Sequence, residues 1–366
     1  MDPARAASAL RTIRECSGAL LQNGSDEAAA SVAKAANEIF PDEPQSGFDY
    51  GAVLLLTGGD PETARTVLEQ SLLRKGGLAL VPRKDRAIAL NNLGRIALGK
   101  NDVTGARALF EQAVALDAEF PGALYNRALA DKLAGDAGAC LAHSEQAFAR
   151  SPQNATPGDY LIAVWANMQK GRADSAAMTL RSAISVFPNE PGLHLELGRA
   201  LAKLGHPLDA LLEYKYEVLN AAVGDTAADE AQPLLEEGLS RKSEVPAEAA
   251  RIGWMNEAFK DSQKGRAGAM GAIDRLEAAG MHHSLLMLLR ARSLAAAGRR
   301  DEAVAAYRAT IAADRALIPA YLDLTSLLRG KGNEDEARAL VAEAVRRNPY
   351  HREILGATPG HRGNKS

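Results

Sequence analysis

With 366 residues, 46% apolar and 24% charged, the chain is about twice an ordinary single domain in length and carries ample apolar surface for folded cores. A net charge of −3 and a pI near 6.2 exclude a global basic field that would draw it to nucleic acid or an anionic membrane. No run of about 18 apolar residues exists for a membrane span. Met1–Leu10 carries no apolar core of signal-peptide length, and two cysteines, Cys16 and Cys140, exclude a disulfide scaffold. These features predict a cytoplasmic protein with reduced thiols.

A period of 34 residues organises the chain. It is plainest where Ala87–Phe120 is written over Pro121–Asn154: Asn92 falls on Asn126, Gly94 on Ala128, Ala106 on Cys140 and Ala113 on Ala147. Each copy reads as two short helices. A small residue stands at position 8, Gly or Asn near 15, Ala at 20, a bulky residue at 24 and often Pro at 32. In chain order, Leu10–Pro41 is a first copy (Ser17, Gly24, Ala29, Ala36, Pro41), and Gln45 opens a second (Ala52, Gly59, Ala64, Leu68). A longer connection with Gly76, Gly77 and Pro82 follows, then the pair above. Pro157 opens a fifth copy and Pro191 a sixth, with Leu197-Gly198, Ala210 and Tyr214 in register.

The register breaks over residues 225–250, where Gln232–Lys242 reads as one amphipathic helix with Pro233 in its first turn. It returns near Arg251, Ser284 and Ile318, and acidic residues open the last two second helices (Asp301-Glu302, Glu334-Asp335-Glu336). The expected organisation is an array over 10–224, an inserted acidic helix or, alternatively, a worn repeat over 225–250, a second array over 251–351 and a disordered tail over 352–366.

Leu93-Gly94, Ala106, Phe110 and Ala113 fill five slots of the pattern by which the chain resembles the tetratricopeptide repeat. The resemblance implies an all-α, right-handed superhelix of about nine helix pairs. Such pairs stack because none can bury its apolar face alone. It also implies that the first helix of each pair lines a concave groove. Positions 4, 8 and 11 then pack inward, while 2, 5, 9 and 12, with 6 beside them, face a ligand. Those positions hold Asn92, Asn126 and Asn256 (position 6), Arg95, Arg199 and Arg292 (position 9), Trp165 and Phe259 (position 9), and Tyr125 (position 5). Asn can bond a peptide backbone from both ends of its amide, Arg can grip a carboxylate, and exposed aromatics supply contact area. The expected partner is another protein, presenting an extended peptide or helix with acidic side chains or a free C-terminus. The carboxylate clamp of some family members is not carried over. Arg95 stands at its first Asn slot, and Gly158 and Ile162 stand where its basic pair belongs.

No constellation for catalysis, cofactor or metal emerges. His282 and His283 are adjacent, so on a helix they diverge by about 100° and read as a polar turn. Cys140 occupies an Ala slot and reads as a small buried hydrophobe. Gly330-Lys331-Gly332 follows no strand, and the Gly360–Ser366 tail lacks phosphate-loop spacing. The chain therefore reads as a non-catalytic scaffold or adaptor. Two alternatives stand beside that reading. One is a regulatory or substrate-presenting subunit of a glycosyl- or sulfotransferase-type enzyme. The other is end-to-end stacking into a homo-oligomer.

Overall fold

Helix starts follow from local chemistry. Proline, which needs no amide partner and fixes φ near the helical value, occupies the first position at Pro44, Pro121, Pro157 and Pro207. Asp102, Asp136 and Asp225 accept the third amide of the helices that follow them, and Thr156 with Asp159 forms a reciprocal capping box. The computed structural model describes residues 3–73, 81–222, 224–263, 269–349, 351 and 354. Two of the expectations, the glycine connection after Leu73 and the disordered tail, fall largely outside these residues.

The described residues are all-α, with helices paired as hairpins, and form two compact units, Met1–Lys170 and Gly171–Ser366. The first contains α1 (Pro3–Gln22), α2 (Asp26–Ile39), α3 (Pro44–Leu56), α4 (Pro61–Leu73), α5 (Arg83–Gly99), α6 (Val103–Leu116), α7 (Pro121–Leu133), α8 (Ala137–Arg150) and α9 (Pro157–Gln169). The second contains α10 (Ala173–Val186), α11 (Leu193–Lys203), α12 (Pro207–Leu219), α13 (Thr226–Ser240), α14 (Pro246–Gln263), α15 (Ala269–Ala278), α16 (Ser284–Ala296), α17 (Arg300–Ala313), α18 (Ile318–Arg329) and α19 (Glu334–Arg347). Among the described residues no helix is long and apolar enough to cross a membrane.

Within a hairpin, small residues set the approach distance. Ala106, Phe110 and Ala113 on α6 are fully buried, and a Cβ on Gly94 of α5 would come within 2.5 Å of Phe110 Cε1. The same pairing recurs between α11 and α12, where a Cβ on Gly198 would come within 2.3 Å of Tyr214 Cε1. Small residue and large ring are complementary halves of one close-packed contact.

Turns within hairpins use a left-handed residue. In the second copy it is Gly58 (φ 70°), one residue before the expected Gly59. Between α5 and α6 it is Asn101 (φ 63°), the one non-glycine with positive φ among the described residues. Asn tolerates this conformation and Ala does not. Asn101→Ala is expected to cost about 1 kcal/mol and Asn101→Gly close to nothing; paired urea titrations check this, and equal losses would contradict it.

Over 225–250 the helix is Thr226–Ser240, not Gln232–Lys242, and Pro233 lies inside it rather than in its first turn. The cap at Asp225, accepting from Ala228 N at 3.1 Å, starts the helix early. α14 likewise begins at Pro246, ahead of Arg251, because a proline is available there for the first turn.

Candidate peptide-binding groove

In unit 1 the first helices of successive hairpins lie side by side, α3 by α5, α5 by α7 and α7 by α9. Between α7 and α9 they leave an open cleft of about 770 Å³. The sequence positions its walls. Ala123, Leu124 and Ala128 bury the inner face of α7, which turns Tyr125, Asn126, Leu129 and Lys132 to the cleft. The capping box at Thr156–Asp159 fixes the start of α9, which contributes Leu161 and Ile162.

Tyr125 is buried along its ring and donates its hydroxyl to Ser151 O at 2.9 Å. Burial, with Asp159 and Tyr160 nearby, pushes its phenol up to about 12, so it stays a protonated donor. Asn126 Nδ2 donates to Asn91 Oδ1 at 2.9 Å, tying α7 to α5. Asn126 thus spends one amide proton on the scaffold and keeps its carbonyl for a ligand. Lys132 has no carboxylate partner among the described residues, whereas Asp159 is held by Thr156.

The remaining expected residues are scattered. Asn92 is buried. Arg95 is exposed and lines a separate hollow of about 350 Å³ with Leu55, Glu62 and Lys100. Trp165 is half-buried and packs beside Leu129 on the cluster of Ala128, Cys140, Leu141, Ile162 and Ala166. In unit 2, Arg199 pairs with Glu196 and, at 2.8 Å, with Glu230 on α13. Asn256 Nδ2 donates to Leu239 O on α13 at 2.8 Å, and Arg292 pairs with Asp323 at 2.6 Å. Phe259, expected as exposed contact area, is only 4% exposed and lies beneath the Lys215 ammonium. Of the nine, the cleft of unit 1 brings together Tyr125 and Asn126, with Trp165 on its flank. The four in unit 2 contact other residues of this chain.

His283, read as a polar turn residue, caps α16 by accepting Leu285 N at 3.1 Å and faces Glu213 with its other nitrogen. Cys140 is buried, and burial raises its thiol to about 11, which removes nucleophilic character at neutral pH. Among the described residues no group of His, Cys, Asp and Glu is arranged to hold a metal ion.

The family model described as tetratricopeptide repeat matches residues 51–123 and 288–352. The chain has the helical-repeat fold of the tetratricopeptide-repeat family. One solved structure agrees at the level of fold. The chain is similar to pilF of Pseudomonas aeruginosa at 16% identity and a TM-score of 0.51, over 62% of this chain and 98% of that one. It is also similar to YrrB, described as a tetratricopeptide-repeat protein with an unusual peptide-binding site, at 15% identity and 0.45, over 57% and 97%. A third likeness is to a thermophilic tetratricopeptide-repeat protein of Thermus thermophilus, at 20% identity and 0.37, over 53% and 99%. No curated protein matches the chain.

Reading tetratricopeptide positions for polar and aromatic residues passed over the cleft's own lining. Leu129 stands at position 9, Lys132 at 12 and Leu161 at 5 of their repeats, all on the ligand-facing side. Asn154 closes its repeat and Thr156 lies in the two residues inserted before α9, neither at a position read as ligand-facing.

Proposed function

We propose that the chain is a non-catalytic protein-binding scaffold, and that its working surface is the cleft between α7 and α9 of unit 1. The observation that carries this reading is the juxtaposition of an apolar floor with ready polar groups. Leu129, Leu161 and Ile162 form the floor, and Asn126, Asn154 and Lys132 stand at the rim. An extended segment of a partner seats an aliphatic or aromatic side chain on the floor. Its backbone bonds the Asn126 carbonyl, and a carboxylate meets Lys132. Lys132 contributes orientation and encounter rate more than raw affinity. The same proposal places the chain in the cytoplasm, on its two unpaired cysteines, one of them exposed.

The test is selection of displayed dodecapeptides on the intact chain. Selected peptides are expected to combine a large apolar residue with an acidic one or a C-terminal carboxylate. Lys132→Glu is expected to weaken them about tenfold with an unchanged melting curve. Peptides that bind Lys132→Glu as tightly as the parent, or that map to other residues, would remove the cleft from the function.

A further inference from the structure

The dipeptide Pro-Gly opens three successive repeats, at Pro121-Gly122, Pro157-Gly158 and Pro191-Gly192. A glycine near a helix start serves a left-handed backbone, a neighbour packed where Cβ would stand, or a ligand that needs the room. The first reason holds at Gly192, which precedes α11 with φ 89°. Gly122 and Gly158 lie inside α7 and α9 and have no positive φ. The second reason holds at Gly122, where a Cβ would stand 3.2 Å from Phe120 Cε2. At Gly158 neither holds. A Cβ there would meet Thr156 Oγ1 at 3.6 Å, an ordinary contact, and nothing closer. Glycine is the poorest helix former after proline, so at the second position of α9 it lowers helix stability without serving packing or the turn.

The third reason remains, and Gly158 has the cleft beside it. It is exposed and lines the cleft from α9, while Gly122, at the same repeat position, lines it from α7. Between these two first turns the walls are bare backbone. Phe120 and Pro121 continue the α7 wall as flat rings. Peptide planes and flat rings suit a planar guest, because an aromatic ring keeps a whole face or edge in contact where a branched aliphatic chain touches at its tips.

We propose that the end of the cleft bounded by Gly122, Gly158 and Phe120 is a slot for an aromatic side chain of the partner, and that Gly158 sets its size. The slot rests on the reading of this cleft as the working surface and narrows it: the partner's large apolar residue is Phe, Tyr or Trp. It also fixes a spacing. Gly122 and Lys132 stand about 15 Å apart along α7. An extended segment covers that distance in about four or five residues, so the partner's carboxylate follows or precedes its aromatic residue by that many places.

The test is display selection on the intact chain, run in parallel on the parent, Gly158→Ala and Gly158→Leu. Parent peptides are expected to carry an aromatic residue about four or five places from an acidic residue or the C-terminus. Synthesised singly, such a peptide should bind Gly158→Leu at least about tenfold more weakly and Gly158→Ala about twofold more weakly. Replacing its aromatic residue by Ala should level the three affinities. Gly158→Ala should leave the melting temperature unchanged or raise it. Parent peptides without an aromatic preference would overturn the proposal. So would equal binding of the aromatic peptide by parent and Gly158→Leu, or a lowered Gly158→Ala melting temperature, which would give the glycine a role in the fold. Lys132→Glu separates the two levels. Binding lost with Lys132→Glu but kept with Gly158→Leu retains the cleft and removes the slot; binding kept in both, or an empty selection, removes both. Gly158→Ala carries the affinity readouts if Gly158→Leu does not fold.

Discussion

Gly198→Leu is expected to destabilise unit 2 by about 3 kcal/mol, the upper part of the range for overpacking a filled core. Even a bare Cβ at that position would come within 2.3 Å of Tyr214 Cε1, and Tyr214 is buried. A leucine must therefore separate α11 from α12. The chain's two tryptophans make the readout specific, since Trp165 lies in unit 1 and Trp254 in unit 2. In a Trp165→Phe background, urea unfolding followed through Trp254 should shift to lower denaturant. An unmoved transition would show that Gly198 is not the contact residue of its hairpin, and the 34-residue register would be wrong there.

The second large effect concerns acid. Glu213 is nearly enclosed. Burial works against its charge, but hydrogen bonds and attraction from His194, at 2.6 Å, and from His283 prevail and hold its carboxyl down at about 2. A carboxyl whose folded value lies below its unfolded value near 4.5 stabilises the fold above that pH and loses the contribution as pH falls toward 2. The shift corresponds to about 3 kcal/mol. Glu213→Ala is expected to cost unit 2 roughly that much at pH 7 and progressively less below pH 4.5. Asp49 in unit 1 has the opposite sign. Burial raises its carboxyl to about 6, although Arg14, 2.9 Å away, partly offsets this. Unit 1 should accordingly lose stability as pH rises from about 4 to 6. Parallel Trp165 and Trp254 titrations separate the two. A Glu213→Ala loss that did not shrink in acid would mean its role is packing alone.

Much of the fold was legible because its determinants are local and repeat. A small residue facing a ring, as Gly94 faces Phe110, leaves a mark in sequence every 34 residues. Turn residues at fixed spacing do the same. The helix at 226–240 was displaced in the reading because the amphipathic signal centred on Leu234, Leu235 and Leu239 outweighed a single capping aspartate. The cleft was half legible. Tyr125 and Asn126 stand at ligand-facing positions, and so do Leu129, Lys132 and Leu161, whose ordinary side chains give no signal singly. The placement of Phe259 against Lys215, of Asn256 on the Leu239 carbonyl and of Arg292 against Asp323 was not legible at all. Pairings such as Asn220 with Ile318, 98 residues apart, were equally invisible, because no periodicity records them.

Those distant pairings change how unit 2 should fold. An array whose members touch only their neighbours can gain or lose structure one repeat at a time from an end. Unit 2 joins Leu219–Ala222 to His351, through a hydrogen bond and a lone antiparallel bridge, across about 130 residues of intervening chain. Closing a loop of that length has a single entropic cost that grows slowly with length, and the contacts that offset it form together. Unit 2 is thus built to melt in one step and to form slowly for a helical protein, since its last-made contacts are non-local. Deleting its final hairpin should then weaken α12, far away in sequence, as much as it weakens the hairpin's own neighbour.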